Sequence, residues 1–149
     1  MLCEEKKRAW SCAFVAHALM TKRIDEALVR AGKVSLETYD VLLNLEMAPN
    51  GRLKMSELAD AVLLSRSGLT RLIDRLEKKG YIQRHSCPKD RRATYAVLTP
   101  DGIKARDEAW PVFEEQIIKM FGNQIHEGED QMLIRFYRRV LTKMNRDIC

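Results

Sequence analysis

The sequence predicts a mainly helical α+β fold with one small β-hairpin. Three observations predict it. Apolar residues recur at helical spacing through most of the 149 residues, a two-residue connection separates two helices near the middle, and residues of alternating polarity follow. With 46% hydrophobic and 32% charged residues, the composition is that of a folded protein. We therefore expect a single domain covering residues 1–149.

The central pair of helices is predicted over residues 55–63 and 66–79. Ser65 can cap the start of the second helix, and Gly80 follows its end as a left-handed stop. Because only Leu64 and Ser65 separate the two helices, they are typical of a helix-turn-helix. The apolar residues of the second helix have the spacing of one buried face: Leu69, Leu72, Ile73 and Leu76.

Two short strands are predicted next, over residues 81–85 and 94–98, because residues there alternate with a period of two. The loop predicted between them, residues 87–93, is strongly charged. Residues 52–54 follow a Pro-Asn-Gly turn and are long enough for a third strand against the hairpin. A helix-turn-helix followed by a hairpin is a winged helix.

Positive charge is concentrated on this winged-helix stretch. Residues 52–99 have a net charge of +6, whereas the other 101 residues have a net charge of −1. Such localisation is the electrostatic footprint of a phosphate-binding surface. The second helix also carries side chains that hydrogen-bond base edges and phosphates, opposite its apolar face. An ordinary solvated helix face is the alternative, and the charge localisation favours DNA.

Long helices are predicted on both sides of this stretch. The first covers about residues 4–30, Ser35 caps the second, Thr99 caps a long fifth helix, and Glu127 belongs to the first turn of the last. Their apolar faces are broader than a small winged helix can cover, so a second copy is the simplest partner. A self-contained helical bundle is the alternative.

The segment 55–102 resembles the MarR family of bacterial transcription regulators. The resemblance is carried by residues 72–82 and by the wing pattern Asp-x-Arg-x-x-x-Val-x-Leu-Thr. Here that pattern is Asp90, Arg92, Ala96, Leu98 and Thr99, so Ala96 departs from the usual valine. The resemblance implies a homodimer, with residues 4–32 and 100–149 for dimerisation and residues 35–99 for DNA binding. It further implies a regulator, usually a repressor, that binds a pseudo-palindromic operator in double-stranded DNA.

For the wing, the resemblance implies that Arg91 enters the minor groove while Asp90 pairs with Arg92 to hold the tip. A flexible charged turn is the alternative. In the second helix of the pair, we expect Ser67, Thr70 and Arg71 at base edges and Arg75 at phosphate. The complete set of expected DNA contacts is Ser65, Arg66, Ser67, Thr70, Arg71, Arg75, Lys89, Asp90, Arg91 and Arg92.

Members of this family usually release DNA when a small aromatic or phenolic effector enters a crevice beside the dimerisation helices. The candidate lining residues are His17, Met20, Tyr39 and Trp110, and an ordinary place in the core is the alternative for each of them. Cysteine oxidation is the rival input. Cys12 lies one position away from the reactive cysteine of peroxide-sensing relatives, and Cys87 lies near Arg84 and Lys89, whose charges lower a thiol pKa.

Other classes of function are less well supported. No histidines or cysteines have the spacing of metal ligands, and no pair of residues has the spacing of a catalytic pair. We therefore expect no bound metal, no cofactor and no enzymatic activity. No apolar run reaches the ~20 residues that span a bilayer, and Glu4 and Glu5 oppose a leader peptide, so a cytoplasmic protein is predicted. A winged helix that contacts an acidic protein remains the second class.

Overall fold

The computed structural model describes residues 1–62, 66–87 and 90–144, and for residues 66–67, 87 and 90–92 it describes the backbone alone. This part of the chain contains six α-helices and one three-stranded sheet. The predicted mainly helical α+β fold is therefore confirmed. The helices are α1 (Glu4–Arg30), α2 (Leu36–Met47), α3 (Met55–Ala61), α4 (Arg66–Lys78), α5 (Pro100–Met120) and α6 (Glu129–Lys143). The strands are β1 (Arg52–Lys54), β2 (Ile82–Cys87) and β3 (Asp90–Leu98).

The chain divides into two compact units, Met1–Glu114 and Glu115–Cys149. The first unit contains the sheet and the helices α1 to α4 with most of α5. The second contains the end of α5, a short turn of 3₁₀ helix at Gly122–Gln124, and α6. The division into residues 4–32, 35–99 and 100–149 according to role stays a prediction.

The core of the first unit is formed by α2, α3, α4 and the sheet. Every residue of the predicted apolar face of α4 is at most 2% exposed, so this face is confirmed. The serine hydroxyl of Ser35 accepts a hydrogen bond from the Thr38 amide at 3.3 Å, which confirms the predicted cap of α2. The fully enclosed side chains are Val41, Leu42, Leu45, Leu58, Leu69, Leu72, Ile73, Leu76 and Ile82.

The sheet has the order β1-β3-β2 and is antiparallel throughout. Leu53 pairs with Ala96, which pairs in turn with Arg84, so residues 52–54 form the predicted third strand. Ala96, the departure from the family's valine, is completely buried. Because alanine is the smaller residue, less apolar area is buried at this point of the sheet.

The predicted strands and loop of the hairpin were wrong in extent. β2 continues to Cys87 and β3 begins at Asp90, so most of the predicted loop 87–93 is strand. Cys87 pairs with Asp90, after a shift of register between Ser86 and Cys87. Charged residues were interpreted as a loop signal, but strand pairing is decided by the backbone ladder, which tolerates charge on an exposed hairpin.

The start of α5 is attached to the end of α4. Thr99 Oγ1 accepts a hydrogen bond from the Gly102 amide at 3.1 Å, as predicted for a cap, and donates one to the Gly80 carbonyl at 2.6 Å. A Cβ atom on Gly102 would lie 2.2 Å from the Tyr81 carbonyl oxygen. This close approach therefore requires glycine at position 102. At position 80, glycine is favoured for a different reason, because φ is +77°.

The terminal helices are far less buried than the central core. Residues 1–19 are all exposed, and α1 buries only Ile24 and Leu28. The α6 helix has no buried residue; it begins at Glu129, so Glu127 precedes it rather than lying in its first turn. In the described part of the chain, no helix combines the length and apolarity that crossing a membrane requires.

Candidate nucleic-acid interface

The α4 helix presents a polar face on the side opposite its buried stripe. Thr70, Arg71 and Arg75 of the expected contact set are all exposed on it. Arg66 and Ser67 belong to its first turn, but their side chains lie outside the described part, and so does the whole of Ser65. The cap predicted at Ser65 is therefore untested. A helix that exposes guanidinium and hydroxyl groups along one face has the chemistry needed to contact base edges.

Arg84 fastens the hairpin to α4. Its Nη1 donates to Glu77 Oε2 at 2.9 Å, its Nη2 donates to Asp74 Oδ1 at 2.5 Å, and its backbone amide donates to Glu77 Oε1 at 3.1 Å. Nη2 also lies 3.5 Å from the Thr70 carbonyl oxygen. The planar guanidinium suits this arrangement because its five N–H groups can address several acceptors at once. The β2 strand and α4 are therefore held in one fixed relation.

Sequence reasoning missed this cluster. A signal existed, because Arg84 has the same strand parity as Ile82 and must face the helix. Asp74 and Glu77 are three residues apart, so both carboxylates lie on one side of α4. The cluster also weakens the redox interpretation of Cys87. Arg84 was expected to lower the pKa of that thiol, but its charge is neutralised by two carboxylates.

Arg75 is only loosely held by the protein itself. Its Nη2 lies 3.8 Å from Glu37 Oε2, and both side chains are about half exposed. Pairs of this kind contribute little to stability and exchange easily with solvent or with another anion. Arg75 is therefore available to a phosphate beside the α4 helix.

The outer face of the sheet adds a basic and aromatic surface that sequence reasoning did not assign. Arg52 lies over the Tyr95 ring, with Cζ 5.2 Å from its centroid. The register places Lys54 and His85 on either side of Tyr95 in the neighbouring strands. At the tip, Asp90, Arg91 and Arg92 belong to β3, but their side chains and the whole of Lys89 lie outside the described part. Their predicted roles stay predictions.

A groove of about 730 Å³ lies between α1 and α2 in the first unit. His17 and Tyr39 of the predicted crevice residues line it, but Met20 and Trp110 do not. Met20 lies on another side of α1, because the lining positions follow His17 at helical spacing, and Met20 falls outside that arc. Trp110 contacts the groove residue Phe113 edge to face, with centroids 5.9 Å apart. The α1 and α2 lining residues are His17, Ala18, Thr21, Lys22, Asp25, Ser35, Leu36, Glu37, Tyr39, Asp40 and Leu43.

Arg106 links α5 to α2. Its Nη2 pairs with Glu46 Oε2 at 2.5 Å and with Asp107 Oδ1 at 2.9 Å. Burial raises the pKa of the Tyr39 hydroxyl, although a hydrogen bond with Arg106 partly opposes that shift. Burial also raises the pKa of the Asp40 carboxyl, against a hydrogen bond from the Asn44 side chain.

Within residues 1–62, 66–87 and 90–144, the structure shows no group of three metal-ligating side chains. Cys3 and Cys12 are free and exposed thiols.

Comparison with known proteins identifies this arrangement. The family model described as MarR family matches residues 33–93, which include α2 to α4 and most of the sheet. A crystal structure of a MarR family transcriptional regulator from Streptomyces coelicolor, in complex with DNA, is similar, with a TM-score of 0.84 and 28% identity. That alignment covers 94% of this chain and 88% of the other. Over residues 33–93, the chain is therefore similar to the MarR family.

Two curated relatives are similar to this chain in sequence. The transcriptional repressor MprA of Escherichia coli is 26% identical over 134 residues, covering 90% of this chain and 74% of MprA. The regulator YkoM of Bacillus subtilis is 31% identical over 84 residues. The chain spans only 54% of YkoM, and the matched part is 56% of this chain. These relatives are transcriptional regulators by name.

Proposed function

We propose that this chain is a DNA-binding transcriptional regulator of the MarR type, and specifically a repressor, that binds a pseudo-palindromic operator as a homodimer. The observation that supports it best is the Arg84 cluster. It holds a hairpin rigidly beside a helix whose exposed face carries Thr70, Arg71 and Arg75. A helix and a hairpin in a fixed relation can enter adjacent grooves of one duplex. The similar regulator in complex with DNA supports the same function.

The contacts are proposed by side-chain chemistry. Arg71, which is exposed, can bind guanine O6 and N7 with two hydrogen bonds, and Thr70 and Ser67 can reach neighbouring base edges. Arg66 is shared between bases and phosphate, and Arg75 binds phosphate. In the wing, Arg91 enters the minor groove, Asp90 braces Arg92, and Lys89 adds charge at the tip. Ser65 caps α4 at the DNA surface.

The central test compares Arg71→Ala with Arg75→Ala on two duplexes. One is an operator obtained by selecting the genomic fragments that the protein binds, and the other is its scrambled sequence. Arg71→Ala should lose about 1–3 kcal/mol on the operator and much less on the scrambled duplex. Arg75→Ala should weaken both duplexes alike, because phosphate carries no sequence. Fluorescence anisotropy measures both affinities, and Arg30→Ala, on the exposed end of α1, is the control. Equal losses on both duplexes for both variants would contradict the assignment.

Salt dependence separates this function from the second class, a winged helix that contacts an acidic protein. Release of counterions from DNA predicts a steep linear fall of log K with log salt. Arg75→Ala should make that slope shallower by about one unit, because one phosphate contact is lost. Absence of binding to any duplex at low salt would rule out the regulator.

Dimerisation is proposed through the terminal helices. Trp10 and Phe14 are exposed, at 67% and 65%, and their rings stack with centroids 6.3 Å apart. The α6 helix likewise exposes Phe136 and Tyr137. A two-fold dimer would place two α4 helices about one DNA turn apart, roughly 34 Å.

The input to the regulator is proposed to be a small aromatic or phenolic effector in the groove beside His17 and Tyr39. An effector that fits only one separation of α1 and α2 shifts the population away from the DNA-binding form. Oxidation of Cys12 or Cys87 is the rival input. Cys12 is an exposed thiol, as a reactive cysteine must be. Loss of DNA binding after peroxide treatment that Cys12→Ser or Cys87→Ser prevents would identify the sensor.

A further inference from the structure

We infer that the groove between α1 and α2 selects a small organic cation with an aromatic or apolar body, rather than an aromatic acid. The inference deepens the proposed function, because only a regulator would use this ligand as its effector. The groove volume of about 730 Å³ is in the range that holds a drug-sized molecule. Two properties of its walls, charge and hydrogen-bonding capacity, decide the class of ligand.

The walls carry more negative than positive charge. Asp25, Glu37 and Asp40 are acidic lining residues, and Lys22 is the lysine among the described ones. Lys22 Nζ lies 3.9 Å from Glu26, which does not line the groove. Glu37 is balanced in the same way by Arg75, at 3.8 Å. Asp25 and Asp40 are left without a basic group within 4.0 Å in the part of the chain that is described.

Two of the three hydroxyl donors of the walls are already used. Thr21 Oγ1 donates to backbone carbonyls, lying 2.9 Å from that of His17 and 3.1 Å from that of Ala18. Ser35 Oγ donates to Thr38 Oγ1 at 3.1 Å. The Tyr39 hydroxyl oxygen accepts from Arg106, so its own O–H is still able to donate. A carboxylate ligand would therefore find few side-chain donors besides His17, Lys22 and Tyr39. A cation needs acceptors and aromatic faces instead.

Acceptors and aromatic faces are both present. Asp25 Oδ1 accepts a hydrogen bond from the Leu36 amide at 2.8 Å, which places this carboxylate at the start of α2 on the groove wall. The Tyr39 and Phe113 rings meet edge to face, with centroids 4.7 Å apart. Burial disfavours the ionised form of Asp40, and a cation beside it would remove that penalty. A cationic headgroup near the carboxylates, with its apolar body against the rings, satisfies all of these groups.

The experiment compares three ligands of similar size by isothermal titration calorimetry on the full chain at neutral pH. They are phenyltrimethylammonium, the neutral N,N-dimethylaniline and the anion benzoate. Phenyltrimethylammonium should bind at least about tenfold more tightly than either of the others. Equal or tighter binding of benzoate, or no binding of the cation, would overturn the inference.

Three variants locate the binding. Asp40→Asn and Asp25→Asn keep the shape of each side chain and its ability to accept a hydrogen bond, and each should remove most of the tenfold preference. Glu114→Gln is the matched control: it makes the same change of charge beside Phe113, on an exposed residue outside the groove, and should leave binding unchanged. An unchanged preference in both aspartate variants would refute the assignment, and thermal unfolding checks that each variant is folded.

Binding to DNA is measured on the same samples, so that the two proposals can fail separately. A chain that binds DNA but shows no preference for the cation refutes the ligand class alone. A chain that prefers the cation but binds no duplex refutes the regulator and leaves the groove assignment standing.

Discussion

The winged-helix core and the terminal helices differ in how far they bury their large apolar side chains. Between α2 and the sheet, the large apolar side chains are almost completely enclosed, as Leu42, Leu72 and Ile73 show. On α1 and α6, comparably large side chains such as Trp10 and Phe136 remain about half or more exposed. One chain therefore completes the first core by itself and leaves the surfaces of the second region uncovered.

This contrast separates two sources of stability. The central core is sustained by contacts within one chain, so its contribution to folding does not depend on protein concentration. Exposed aromatic faces on long helices contribute only when something covers them, and a second copy makes that contribution depend on concentration. Four substitutions test this contrast between the core and the terminal helices.

Leu72→Ala should produce the largest loss. Its side chain is 2% exposed at the centre of the α4 stripe, so truncation leaves a cavity and should lower the free energy of unfolding by about 2–5 kcal/mol. Urea denaturation followed by circular dichroism measures it. Val29→Ala on the exposed face of α1 is the counterpart, with an expected change within about 0.5 kcal/mol. Similar losses in the free energy of unfolding for Leu72→Ala and Val29→Ala would contradict the contrast between the buried core and the exposed face of α1.

Gly102→Ala tests the junction between the winged helix and α5. Alanine normally favours a helix over glycine, but here its Cβ would meet the Tyr81 carbonyl at 2.2 Å and Leu98 at 2.8 Å. The substitution should therefore destabilise the protein by about 1–3 kcal/mol in thermal or urea unfolding. Gly122→Ala is the control, because its nearest neighbour would be 3.9 Å away. A stabilised Gly102→Ala variant would disprove the close approach.

Trp10→Ala tests whether the exposed aromatic pair of α1 is covered by a second copy. Removing the indole should raise the dissociation constant of the dimer at least about tenfold, because aromatic anchors dominate interfaces. Analytical ultracentrifugation over a range of concentrations measures it, with the exposed Arg23→Ala as control. A wild-type chain that stays monomeric, or an unchanged constant in the variant, would contradict the proposed dimer.

Asp40→Asn should have the smallest effect on stability. Burial raises the pKa of the Asp40 carboxyl above its ordinary 3.8. Its favourable contribution is therefore complete below that ordinary pKa and is lost as the pH rises through the folded-state pKa. The variant should gain less than about 0.5 kcal/mol at neutral pH and lose that advantage in acid. Urea unfolding at both pH values measures it; a less stable variant at neutral pH would contradict the sign.

The local features of the fold were accessible to sequence reasoning. The bounds of α1, the cap at Ser35 and the buried stripe of α4 depend on residues within a few positions of one another, and all were predicted correctly. The extent of the hairpin was not, because pairing between Cys87 and Asp90 depends on the partner strand. Charge in the sequence carries no information about that pairing.

The candidate site divides in the same way. The exposed positions of Thr70, Arg71 and Arg75 follow from the period of one helix, and the structure agrees. The Arg84 cluster joins residues up to 14 positions apart and was missed. In the groove, His17 and Tyr39 were anticipated, whereas the acidic character contributed by Asp25 and Asp40 was not. Such features depend on how two elements pack against each other. The periodicity of residues along one helix or strand does not contain that information.

The guanidinium of Arg84 has a mechanical consequence. Because it bonds to both Asp74 and Glu77, the β2 strand cannot swing without breaking charged hydrogen bonds, and the hairpin must follow every tilt of α4. In such a protomer, α4 and the hairpin move as one rigid unit and not as two independent elements. Under the proposed function, any effector that weakens DNA binding must therefore reorient α4 and the hairpin together.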